Sequence, residues 1–216
     1  TVGDPDKAWE ALGRAFAELG ERMPVEDVAS ALTTTRELAR PRVGRLLTRR
    51  PVVKPRPERE VDVLCWLHYQ NVRLAFEYGK VGRAIQSSLI SHTLSSQTRS
   101  LSTRARARAI YAFVLTALGF REAGLKEVEE AVAISKRLDD LTTATFCGQM
   151  RAVTLGWGGR LEEMLLEYRD IIDRYGAWSE VTEYMLHVGS GALVLFVMGR
   201  NDVAWSWIEK GLGRAR

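Results

Sequence analysis

The residues of this chain that could carry chemistry are three histidines, two cysteines, some adjacent carboxylates and one glycine cluster. None of His68, His92 and His187 sits in an H-E-x-x-H or comparable ligand spacing. His68 and His187 fall in apolar helical stretches and read as packing residues. His92 follows Ser91 with no carboxylate near it in sequence, so a nucleophile–base pair there lacks the group that would orient the base. Cys65 and Cys147 are 82 residues apart and form no Cys-x-x-Cys pair, which suits thiols in a reducing cytoplasm. Glu162-Glu163 and Asp139-Asp140 are neighbours on a helix, about 100° apart, and read as solvated faces or helix-end charges rather than an acid–base pair. No G-x-x-x-x-G-K-[ST] loop is present, and Gly156-Trp157-Gly158-Gly159 reads as a turn between helices. These patterns predict no catalytic residue, no metal and no cofactor.

The elements that must position any site are helices. Of 216 residues, 46% are hydrophobic and 27% charged, which excludes wholesale disorder and allows a sizeable core. The uncharged run between Glu183 and Arg200 is 16 residues long, short of the ~20 that span a bilayer, and is expected to be a buried helix. The chain opens on Thr1 without a basic-then-apolar leader and stops at Arg216 inside an expected helix. The expectation is a cytoplasmic fragment of a larger polypeptide.

All six prolines lie in the first 57 residues. Residues 40–56 hold seven basic residues, no acidic one, and three X-Pro steps that favour extended backbone. The expected organisation is therefore an N-terminal helical hairpin over 1–40, a Pro/Arg-rich connector over 41–59, and helical hairpins from 60 to 216. The connector is expected to be mobile and open to trypsin. Its basic residues, Arg42, Arg45, Arg49, Arg50, Lys54 and Arg56, could meet nucleic acid or an anionic surface. No aromatic residue interleaves them, and a solvated connector or a contact with an acidic neighbour is preferred. Charge is uneven: Arg36 to Arg108 carries 16 basic and 5 acidic residues, and Arg121 to Glu183 carries 8 basic and 13 acidic.

A forty-residue period organises the remainder. Gly79, Gly119, Gly159 and Gly199 are 40 apart. Seven residues before them stand Val72, Ala112, Ala152 and Ala192. Four before stand Ala75, Leu115, Leu155 and Leu195. Five after stand Ala84, Gly124, Met164 and Ala204. Each unit reads as two helices around a glycine turn. First helices are expected over 60–78, 101–118, 141–157 and 181–198, and second helices over 81–96, 121–138, 161–175 and 201–216. The first helices are apolar nearly all round and are expected to be sandwiched. Trp205 and Trp207 should face different sides of the last helix, one of them core.

Residues 9–20, WEALGRAFAELG, resemble the tetratricopeptide signature through Trp9, Leu12, Gly13, Phe16 and Gly20. Together with the 40-residue units and the Arg/Pro insert, the chain resembles the tetratricopeptide-like region of large bacterial signalling ATPases, in which a nucleotide-binding domain precedes helical repeats. The resemblance implies an all-α fold, a right-handed solenoid of about five helical hairpins. It implies a non-catalytic interaction and regulatory module whose partner is a protein or peptide, a neighbouring domain of the same polypeptide, or a second copy. By the glycine register, the concave groove of such a fold would carry Trp66, Tyr69, Arg73 and Phe76, then Arg106 and Phe113, then Phe146, Gln149 and Trp157, then Phe196. The alternative reading packs these rings between repeats. Nucleic-acid binding through the connector is the second hypothesis, and a helical enzyme with no visible acid–base constellation the third.

Overall fold

The computed structural model describes residues 4–24, 56–178 and 181–215. The described residues are all-α, with no strand. The expected second helix of the N-terminal hairpin and the connector up to Pro55 lie outside them, and so do the expected trypsin sites. The helices are α1 (Pro5–Glu18), α2 (Glu58–Glu77), α3 (Val81–Ser95), α4 (Leu101–Ala117), α5 (Arg121–Ser135), α6 (Leu141–Trp157), α7 (Leu161–Tyr175), α8 (Val181–Val197) and α9 (Asn201–Ala215). The chain divides into two compact units, Thr1–Tyr111 and Ala112–Arg216, with the boundary inside α4.

One device ends five of these helices. Gly20, Gly79, Gly119, Gly159 and Gly199 all have positive φ, between 69° and 89°. At each, the glycine N–H donates to the carbonyl three residues back. The next N–H donates to the carbonyl five back: Glu21 to Phe16, Lys80 to Ala75, Phe120 to Leu115, Arg160 to Leu155 and Arg200 to Leu195. This is the Schellman closure, and it requires a left-handed residue at the glycine. The five residues whose carbonyls accept the second, five-back bond (Phe16, Ala75, Leu115, Leu155 and Leu195) are all buried, so each turn is pinned to the core beneath it. Gly119→Val should cost more than ~1 kcal/mol, because a β-branched residue strains at φ 89° although its Cβ would meet nothing within 4 Å. An unchanged chemical-denaturation midpoint would refute that.

In the first unit, α1 starts with Asp4 accepting from the amides of Asp6 (3.1 Å) and Lys7 (3.5 Å). Its Leu12 and Phe16 are buried with Val61, Leu64, Cys65 and Leu67 of α2, and Trp9 packs against that core. The loop before α4 is held by the N-terminal carboxylates of α2. Glu58 accepts from the Arg99 amide (2.6 Å), and Asp62 accepts from the hydroxyls of Thr98 (2.8 Å) and Thr103 (2.9 Å). α2 begins at Glu58, two residues before the expected start.

In the second unit, α5 to α9 pack each against the next in chain order. Asp140 caps α6 through the Thr143 amide (3.2 Å). Ala152, Tyr168 and Ile171 form one buried cluster, Ile172, Tyr184 and Val188 a second, and Ala192, Leu195 and Ala204 a third. Trp207 joins all three, while Trp205 lies exposed. One expectation fails here: α8 is not buried all round. Its Tyr184, Val188, Ala192 and Leu195 face the core, but Leu193 is 63% and Val197 69% exposed, and Leu186 is exposed with them. Within this unit α8 rests on α7 and α9, and neither covers the stripe at 186, 193 and 197.

Candidate functional site

α2 is a 20-residue helix with two unlike faces. Val61, Leu64, Cys65, His68, Asn71, Val72 and Ala75 turn inward. Trp66, Tyr69, Arg73 and Phe76 fall within about 80° of arc on another face, given about 100° per residue. Trp66 is 53% and Phe76 39% exposed, Arg73 is exposed, and Tyr69 is half-buried. The Arg73 guanidinium lies 5.9 Å from the Tyr69 ring centroid, within cation–π range. Val63, also exposed, flanks the rings. This face shows large apolar rings to solvent beside a fixed positive charge, a combination common at binding hot spots.

The other expected groove residues do not form one class. Arg106 is half-buried on α4, one turn from Thr103, which donates to Asp62 of α2. Phe113 is a correction: it is 8% exposed, because its ring meets the edge of Trp157 at 5.7 Å and the two cover each other on one side. Trp157 keeps 57% of its surface exposed. Phe146 and Gln149 are half-buried on α6. Phe196 is half-buried, edge-on to Trp205 at 5.8 Å. The sequence reading overlooked Leu186, Leu193 and Val197. The 40-residue register places them at the columns of Phe146, Val153 and Trp157, so the repeat contained the signal, but aliphatic side chains at those columns read as core.

Of the basic connector residues, only Arg56 lies among the described ones. It pairs with Glu21 and with Glu60 (3.4 Å) and donates to the Leu19 carbonyl (3.2 Å). It therefore works as a structural clasp between the end of α1 and the start of α2. Arg42, Arg45, Arg49, Arg50 and Lys54 lie outside the described residues.

The titratable groups in the interior are set up for packing. Burial pushes the Cys65 thiol up to about 12, against the lowering effect of its contact with Ser91, so it stays protonated and poorly nucleophilic. Burial lowers the pKa of His68 to about 3 and that of His187 below its ordinary value. His92 stacks on Tyr111 at 4.2 Å and is lowered to about 4, first by burial and then by Arg108. Arg151 joins α5, α6 and α7 through Glu129 (2.8 Å) and Glu167. Burial raises the Glu167 pKa, against the pull of Arg151. A crevice of about 130 Å³ between α7, α8 and α9 is lined by Ile172, Val188 and Trp207. Its rim charges offset one another, with Asp173 3.9 Å from Lys210 and 4.0 Å from Arg169. Among the described residues no group of three or more His, Cys, Asp or Glu is placed to hold a metal ion. No described helix is long and apolar enough to cross a membrane.

No family model matches the chain, and no curated protein or solved structure matches it either.

Proposed function

We propose that the chain is a non-catalytic interaction and regulatory module of helical-hairpin repeats of the tetratricopeptide-like kind, which stack as a right-handed solenoid and serve a larger signalling protein. The observation that carries this reading is the exposed ring face of α2, with Trp66 and Phe76 open to solvent beside Arg73 on a helix whose opposite side is locked into the core. The repeated glycine closure supports the hairpin-repeat part. A rigid surface of this kind binds a protein segment or a neighbouring domain without reorganising, and binding then biases the conformational equilibrium of whatever it touches.

The test pairs binding with stability. With the wild-type chain as bait, the strongest reproducible binder from a cell extract is isolated and titrated against the Tyr69→Ala, Arg73→Ala double variant. The variant should lose about 2 kcal/mol or more of binding, while helicity and melting temperature stay nearly unchanged. A melting temperature lowered by several degrees would make these side chains packing residues and remove the face from the function.

A further inference from the structure

We infer that the crevice between α7, α8 and α9 binds a free α-amino acid with a small aliphatic side chain, such as leucine or valine. It shares no residue with the ring face of α2. Ile172 of α7 and Val188 of α8, both buried, form its floor with Trp207 of α9, and Arg169, Asp173 and Lys210 stand at its rim. The helix period puts charge beside apolar wall. On α7, Arg169 and Asp173 lie one turn apart on the side that carries Ile172, and on α9 Lys210 follows Trp207 by three residues.

The charges set the class of ligand. Asp173 lies between two cations, 4.0 Å from Arg169 Nε and 3.9 Å from Lys210 Nζ. Neither distance is a hydrogen bond, so the triad does not use up the donors of the two cations or the lone pairs of the carboxylate. A ligand with a carboxylate alone would meet Asp173 as a like charge, and one with an ammonium alone would meet two cations. An α-amino acid carries both groups one carbon apart. Its carboxylate is held by Arg169 and Lys210, and its ammonium by Asp173. Other charges on these helices are engaged or turned away. Asp170 accepts from Arg174 at 2.6 Å, Arg214 lies over the Tyr184 ring at 4.3 Å, and Glu209 stands about 160° round α9 from Trp207.

The size of the crevice sets the side chain. Its volume of about 130 Å³ equals the share of about four waters, and falls well short of the ~300 Å³ at which drug-sized sites begin. An aliphatic side chain of about three or four carbons fits that space, and burying it against Ile172, Val188 and Trp207 contributes about 0.8 kcal/mol per methylene. A polar side chain there would lose its water without gaining a partner. A peptide is not matched, because its terminal ammonium has no carboxylate on the same carbon.

The experiment is equilibrium dialysis of the whole chain against radiolabelled L-leucine, with leucinamide, 4-methylpentanoate and glycine as unlabelled competitors. L-leucine should be retained, and each competitor should displace it roughly tenfold less well than unlabelled L-leucine. Asp173→Asn and Arg169→Gln, both at solvent-facing positions, should each weaken retention roughly fivefold or more without moving the melting temperature. Leucinamide or 4-methylpentanoate competing as well as L-leucine overturns the match to a zwitterion. Glycine competing as well overturns the role of the apolar floor. No retention at millimolar L-leucine, or retention indifferent to both substitutions, overturns the inference as a whole.

Discussion

Gly124→Val should destabilise the second unit by roughly 3 kcal/mol, at the upper end of what overpacking a core costs. Gly124 is buried on α5 where that helix crosses the end of α4. A Cβ built there would run into the Thr116 hydroxyl and stand 2.7 Å from the Ala112 carbonyl oxygen and 3.1 Å from the Thr116 amide nitrogen. A side chain can turn aside, but a helix backbone can yield only by moving the helix. Thr116 is further fixed by donating to the Ala112 carbonyl at 3.1 Å. Gly189→Ala provides the contrast. It lies exposed in the middle of α8 with nothing within 4 Å of its missing Cβ, so the change should stabilise by about 0.5–1 kcal/mol through helix propensity alone. Urea unfolding of both variants measures the two signs together. A Gly124→Val midpoint equal to wild type would mean that α4 and α5 do not approach so closely.

Gly124 also shows what was legible in the sequence. Its column reads Ala84, Gly124, Met164 and Ala204: three of the four are small where helices cross, Ala84 and Ala204 being fully buried, and in the unit where Met164 stands there the opposing helix supplies the room through Gly156, whose missing Cβ would run into the Met164 sulfur. The glycines at 79, 119, 159 and 199 were legible for a different reason: a left-handed helix closure admits few other residues, so a backbone requirement is written directly as a residue type. Leu115, Leu155 and Leu195 were legible as core because the same carbonyls that close the turn must lie over it. The exposed stripe of α8 was not. Hydropathy records that Leu186, Leu193 and Val197 are apolar, but not which flank of a helix its neighbours leave uncovered. Phe113 failed for a related reason. The register gave its column, but its burial depends on Trp157, which is 44 residues away in sequence. At Trp66, Tyr69, Arg73 and Phe76 the register was enough to locate surface residues, because the inward columns of α2 are filled by Leu64, Val72 and Ala75 and leave the rings no place inside.

Acid should unfold the protein well above the pH at which its carboxylates titrate, and His68 should account for much of the effect. The ring of His68 is 3% exposed, lies edge-on to Phe16 at 4.9 Å, and has its Nδ1 without a hydrogen-bond partner among the described residues. A protonated imidazole there would be an uncompensated buried charge, which is why burial holds its pKa near 3. In the unfolded chain the same ring titrates near 6.5. The folded pKa is the lower one, so below about pH 6.5 the unfolded state binds a proton that the folded state refuses. The stability contributed by neutral His68 is complete above that pH and falls by about 1.4 kcal/mol per pH unit toward the folded pKa. His92, lowered to about 4, adds a second term of the same sign. Between pH 6.5 and pH 5 the two should remove about 3 kcal/mol, a large share of an ordinary domain's stability. Because Phe16 ties α1 to this ring, α1 should loosen first. Urea melts at pH 7.5, 6.5 and 5 give the slope, and His68→Leu should reduce it by about one proton while costing little at pH 7.5. A flat stability from pH 6.5 to pH 5, or a slope indifferent to His68→Leu, would mean that the ring is solvated or paired in the folded protein after all.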